Sequence, residues 1–246
     1  MSGHSKWSTI KRKKGANDAK RGKLFTKLIK EITVAASVGG QDVDANPRLR
    51  AAVQNARGMN MPKDTIQRAI NKADRDSSSF QELTFEGMLP NGIGVFVDCL
   101  TDNRNRTISN VRSIFNKRGG NLGTNGSLSF MFERKGIISL AAGELDPEEF
   151  ELELIDAGVE DIELEDGVFM ITTPMEEFHN VQKKIEEMGL EPDSAELQRI
   201  PNDTVDLPLE QAVQIMKIVE EFEDDDDVQV VSHNLNVTDE ISEAME

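Results

Sequence analysis

The chain has one cysteine, Cys99, one tryptophan, Trp7, three histidines and no tyrosine among its 246 residues. A single cysteine excludes an internal disulfide and a zinc site built on cysteine pairs. Cys99 ends an apolar run, Val95 to Leu100, and reads as a strand residue packed as a small hydrophobe. His4, His179 and His233 are scattered, with no partner at metal-ligand or nucleophile–base spacing. No run of about 18 apolar residues occurs, and no apolar segment of a signal peptide follows the basic N-terminus. Neither a membrane span nor secretion is expected, and the cytoplasm is the expected location. Hydrolase, zinc-protease and kinase signatures are also missing. The expectation is therefore a protein that is not an enzyme, with no cofactor and no metal.

What is present is charge, divided by position. Residues 1–76 carry 17 Lys/Arg against 7 Asp/Glu, a net of +10. Residues 77–135 carry 7 against 5, and residues 136–246 carry 4 against 33, a net of −29. The overall −17 thus conceals a basic module, the composition of a polyanion binder. Residues 1–17, with Lys6, Lys11, Arg12, Lys13 and Lys14, read as a flexible basic arm that orders on a partner. Trp7 within it either stacks on a nucleobase or docks on the helical domain.

From Asp18 the pattern turns helical, with Leu24, Phe25, Leu28, Ile29 and Ile32 on one face. Lys20, Lys23, Lys27 and Lys30 make a stripe roughly opposite. Phosphate neutralisation is the functional reading of arm and stripe together. A solvated helix face is the plainer one, but ten Lys/Arg in the first 30 residues exceed what that requires. Asn46-Pro47 opens a second helix and Pro62 a third. Residues 1–79 thus form a basic arm and a small helical domain.

Past Phe80 the texture becomes mixed. Strands are expected at Leu83–Phe85 and Ile93–Leu100, a helix at Asn103–Arg118 and a strand at Ser127–Phe132. Asp102 or Asn103 would cap that helix, which sets Arg104 and Arg106 at its positive end as a second phosphate contact, or simply as surface arginines. The glycine-rich loop Gly119–Gly126 precedes a strand and lacks a P-loop ending, so it reads as a turn or a backbone surface for a partner. Residues 134–203 read βαββαβ, a ferredoxin-like domain. The closing helix and strand then complete the sheet begun at residue 80. The fold class is α+β in three domains. They are residues 1–79, residues 80–133 plus 204–246, and the acidic insert 134–203. Glu148, Glu149, Glu151 and Glu153 read as a solvated helix face, and Asp224–Asp227 as a solvated acidic turn.

Several stretches together resemble the YebC family. They are Gly3–Trp7, Asp18–Lys23 with Phe25–Lys27, Asp44–Arg50, Asp102–Thr107 and Gly119–Gly123. Arg48 and Arg50 enter the candidate nucleic-acid-binding set with the third of these. The resemblance spans essentially the whole chain. It implies three domains, the third inserted in the second, and a non-enzymatic regulator of gene expression. Bacterial members are described as DNA-binding transcriptional regulators and have also been linked to stalled ribosomes. The mitochondrial relative activates translation of a cytochrome c oxidase subunit. Duplex DNA and ribosomal RNA are thus both expected partners. Basic ribosomal proteins would suit the acidic C-terminal half, and a monomer or weak oligomer is expected.

Overall fold

The computed structural model describes residues 18–76 and 80–245. They divide into two compact units, one of residues 18–30, 80–133 and 199–245, the other of residues 31–76 and 134–198. The helical segment expected over residues 1–79 is thus shared between the two. The first helix, α1 (Asp18–Gly39), contributes to both.

The first unit is built on a hairpin of β1 (Gln81–Leu89) and β2 (Ile93–Thr101). Its register runs from Gln81 opposite Thr101 to Leu89 opposite Ile93. Pro90-Asn91-Gly92 closes it in a single 3-10 turn, where Asn91 and Gly92 take φ of 64° and 78°. Such left-handed conformations are the ones Asn and Gly tolerate. Helix α4 (Arg104–Lys117) follows, capped by the Asn103 side chain, which accepts from the Arg106 N–H. The short β3 (Asn121–Leu122) returns beside β1, opposite Gly87. A Cβ at Gly87 would collide with the Phe115 ring, so glycine is what lets α4 pack this closely on the sheet.

Helix α7 (Leu209–Glu223) leads into β8 (Val228–His233), which pairs antiparallel with β2. The sheet order is β3-β1-β2-β8, so the last strand does close the sheet begun at residue 81. Val95, Val97, Val111, Phe115, Ile215, Val219, Phe222 and Val231 fill the core. The Phe115 and Phe222 rings lie 4.8 Å apart within it. On the sheet's other face Phe96, Leu128 and Phe132 form a smaller cluster.

One expected element differs. Ser127–Phe132 is not a strand. Its middle is a 3-10 turn, Ser129–Met131, and the strand that follows, β4 (Phe132–Ala141), starts only at Phe132. The cause is Glu86 on β1, a buried carboxylate. It accepts from the Gly126 N–H at 2.6 Å, the Leu128 N–H at 2.8 Å and the Ser127 hydroxyl at 3.4 Å. Those donors are drawn into a loop around the carboxylate rather than into a ladder.

In the second unit, α2 (Pro47–Gly58) begins at Asn46, whose side chain accepts from the Leu49 N–H and donates to the Ala35 and Gly40 carbonyls. Helix α3 (Lys63–Asp76) follows. Ile32, Ala35, Leu49, Val53, Ile66 and Ile70 are buried here. The rest of the unit runs β4 (Phe132–Ala141), α5 (Pro147–Ile155), β5 (Asp161–Glu165), β6 (Val168–Pro174), α6 (Phe178–Glu187) and β7 (Ser194–Pro201). The sheet order β5-β6-β4-β7 is that of the ferredoxin-like βαββαβ. Both helices pack on one face, around Phe150, Leu154, Phe169, Ile171, Val181 and Ile185. Helix α8 (Asp239–Ala244) closes the described chain.

Cys99 is buried in the first core, and burial pushes its thiol up to about 12, with Asp225, Asp98 and Asp227 adding to the effect. The thiolate is the nucleophile. At pH 8 the folded protein is therefore expected to take up iodoacetamide at least about a thousandfold more slowly than after denaturation. Mass spectrometry of timed quenches checks this, and equal rates in the two states would refute it.

Candidate nucleic-acid interface

Of the residues expected to meet phosphate, Lys6, Trp7, Lys11, Arg12, Lys13 and Lys14 lie outside the described residues. Lys20 and Arg21 begin α1, with side chains also outside them. The remaining lysines of the stripe face the turn that follows α7. The Lys23 ammonium donates to the Asp224 carboxylate at 2.8 Å, and that hydrogen bond raises its pKa. Lys27 donates to the Glu223 carbonyl at 2.6 Å. Lys30 donates to the Asp226 and Leu100 carbonyls and lies 3.4 Å from an Asp227 carboxylate oxygen.

Arg106 goes to the same place. Its guanidinium meets both Asp227 oxygens, at 2.8 and 2.9 Å through Nη2, and also Asp102 at 2.8 Å. The Thr107 hydroxyl donates to Asp227 at 2.9 Å, and Asn110 donates to Asp225 at 2.8 Å. The acidic turn is therefore not merely solvated, because the Asp227 side chain is only 4% exposed and serves as an internal anion. Burial alone would raise its pKa. The Arg106 and Thr107 hydrogen bonds, the Lys30 charge and a Thr101 hydrogen bond outweigh that and leave it below the usual carboxylate value.

Arg48 pairs with Glu31 at 2.7 Å, and Arg50 donates to the Asp44 carbonyl. Arg104 alone among the described candidates is exposed and meets no acidic partner among the described residues.

Among the cations outside that set that share its condition, two lie on one helix close to it. Arg112 and Lys117 stand exposed on α4, again with no acidic partner among the described residues. With Asn105, Ser109, Ser113 and Asn116 they line an open concavity of about 450 Å³ along the helix. Their spacing of 3, 4 and 7 residues puts them on one helical face. It offers guanidinium, ammonium, amide and hydroxyl donors and no carboxylate. The sequence does carry a signal for it. In a chain with 45 Asp/Glu, residues 103–132 contain none.

A three-domain α+β protein that turns a cationic, carboxylate-free helix face outward is the class these features define. Family models for the TACO1/YebC N-terminal domain and for the TACO1/YebC second and third domain match residues 5–76 and 80–235. The chain belongs to the TACO1/YebC family. It is 51% identical over 239 residues to a "Probable transcriptional regulatory protein" of Amoebophilus asiaticus, covering 96% of this chain and 98% of that one. A protein of the same name in Geotalea uraniireducens is 49% identical over the full length of both. The crystal structure of a conserved hypothetical protein from Aquifex aeolicus superposes with a TM-score of 0.80 at 42% identity, covering 91% of this chain and 93% of that one. Among the described residues no helix is long and apolar enough to cross a membrane.

Proposed function

We propose that this protein is a non-enzymatic regulator of gene expression that binds nucleic acid through phosphate contacts, and that it acts in the cytoplasm as a DNA-binding transcriptional regulator. The observation that carries the reading is the α4 face, where Arg112 and Lys117 are exposed, meet no acidic partner among the described residues and line a concavity whose lining holds no carboxylate; Arg104, at the start of the same helix, is likewise exposed without an acidic partner among the described residues. The basic N-terminal segment supplies the rest of the affinity. The names of its relatives, transcriptional regulatory proteins, support the regulatory part.

Ribosomal RNA is the second target, favoured by one observation. Residues 136–246 carry a net −29 that phosphate would repel and basic ribosomal proteins would attract. Crosslinking in cells with sequencing of recovered DNA and RNA separates the two. Promoter peaks support transcription control, and ribosomal RNA peaks support translation control.

Arg112→Glu with Lys117→Glu tests the α4 face. Two lost phosphate contacts should flatten the slope of log K against log salt by about two. That is about a thirtyfold loss for duplex DNA near 0.15 M salt. Fluorescence anisotropy across a salt series reads both quantities. An unchanged affinity in a folded variant would remove α4 from the interface.

A further inference from the structure

Asn105, Ser109 and Asn116 form a ridge along α4, within about 40° of one another at about 100° per residue, and all three are exposed. None makes a side-chain hydrogen bond among the described residues. Asn and Ser are weak helix formers, and surface positions free of packing demands suit Glu, Lys, Gln or Ala better. The chain follows that habit elsewhere. Helix α5 exposes Glu148, Glu149 and Glu151, and α6 exposes Lys183, Glu186 and Glu187. On α4 it does not, and a local choice that works against its own element marks a functional surface.

The charges around the ridge are sorted. Arg112 lies about 40° to one side of it and Lys117 about 100° to the other. Acids that hydrogen-bond to this helix are met beside or behind the ridge. Arg106 takes Asp102 and Asp227, Asn110 takes Asp225, and Arg118 at the C-terminal cap takes Glu221. The ridge itself offers amides and a hydroxyl.

These are the groups that match base edges. An amide pairs twice with adenine, and a hydroxyl serves any base, whereas phosphate is met best by cations. A neutral ridge between two cations mirrors a DNA groove, where base edges lie between two phosphate backbones. The helix has 14 residues, about 21 Å of length. The major groove of B-form DNA, about 12 Å wide, admits a helix, and that of A-form RNA does not.

We propose that α4 enters the major groove of duplex DNA and reads base edges through Asn105, Ser109 and Asn116, while Arg112 and Lys117 hold the phosphates on either side. This rests on the nucleic-acid-binding reading above and adds a sequence preference to it.

The test uses the full chain and DNA duplexes of about 20 base pairs with a randomised centre. After selection, the wild-type protein should bind the enriched duplex at least about tenfold more tightly than the unselected pool. The triple variant Asn105→Ala, Ser109→Ala, Asn116→Ala should bind the two within about twofold of each other, with the slope of log K against log salt unchanged. It should also melt at or above the wild-type temperature, because alanine is the better helix former. A ridge kept for the fold would give the reverse, a lower melting temperature and an undisturbed preference.

The inference fails if selection enriches nothing or if the triple variant keeps the preference. A preference lost together with a clear fall in melting temperature assigns the ridge to the fold and also overturns it. An RNA duplex of the enriched sequence bound as tightly as the DNA overturns the choice of the DNA major groove. In each of these cases the proposed function stands if Arg112→Glu with Lys117→Glu weakens binding. If the wild-type protein binds neither duplex at any salt concentration, both fall.

Discussion

Replacing Lys11, Arg12, Lys13 and Lys14 by glutamate is expected to cost about three decades of affinity for duplex DNA near 0.15 M salt. Each phosphate that a cation neutralises contributes about −0.9 to the slope of log K against log salt. At that salt the released counterion is worth about 0.7 of a decade, so four contacts reach about a thousandfold. The slope should flatten by between about 3 and 4, and the loss should be similar for unrelated sequences. The described cations of α1 are engaged elsewhere. Lys23, Lys27 and Lys30 are already held by the turn after α7, so a phosphate approaching α1 must compete with Asp224 and Asp227. Anisotropy titrations at four or more salt concentrations decide the matter. A loss confined to one sequence, with the slope unchanged, would mean that base edges rather than phosphates are read.

Local signals carried most of the fold. Asn103 announced the start of α4 because a capping side chain acts within three residues. Pro90-Asn91-Gly92 announced the β1–β2 hairpin because its turn demands left-handed backbone. The alternation of apolar runs with helical spacing gave the βαββαβ order, and the sheet order follows from known topology.

What stayed hidden depends on partners distant in sequence. The lysine stripe was visible as a face of α1, but spacing gives a face without saying what lies against it. Lys23 and Asp224 are 201 positions apart. Glu86 lies just past the expected strand Leu83–Phe85, and nothing local shows that a loop some 40 residues later wraps its carboxylate. Ser127–Phe132 has a strand-like alternation for the same reason that it fails as a strand, since its inward residues pack on Phe96 while Glu86 takes the amides before them. On α4 the emphasis on Arg104 and Arg106 missed the more useful contrast. Arg106 is spent on Asp227, and Arg112 and Lys117, about two and three turns on, are not.

Asp227→Asn should be the most destabilising single substitution of this charged cluster. The carboxylate is nearly buried and meets Arg106, Thr107 and Lys30, while its own carbonyl accepts from the Leu100 N–H at 2.8 Å. An amide of the same size keeps the shape and the Thr107 bond but leaves Lys30 without its counter-charge and Arg106 with Asp102 alone. Removing one member of a buried pair costs about 3–5 kcal/mol. Arg106 is half exposed and Lys30 keeps its carbonyl acceptors, so about 2–3 kcal/mol is the expectation here. For a chain of this length that is a fall in melting temperature of roughly 5–10 °C at pH 7.

The pH dependence gives a second reading. The folded-state pKa of Asp227 lies below its ordinary 3.8. Its contribution is therefore fully present above that value and is lost as pH falls through the lower, folded one. The gap between wild type and Asp227→Asn should stay constant from about pH 7 to pH 5 and close progressively below about pH 4. Melting curves between pH 2 and pH 7 measure it. A variant as stable as wild type at pH 7, or a gap that persists unchanged at pH 2, would show that Asp227 holds the turn by shape and not by charge. In that event the lysines of α1 would be far easier for a nucleic-acid phosphate to capture than the structure implies.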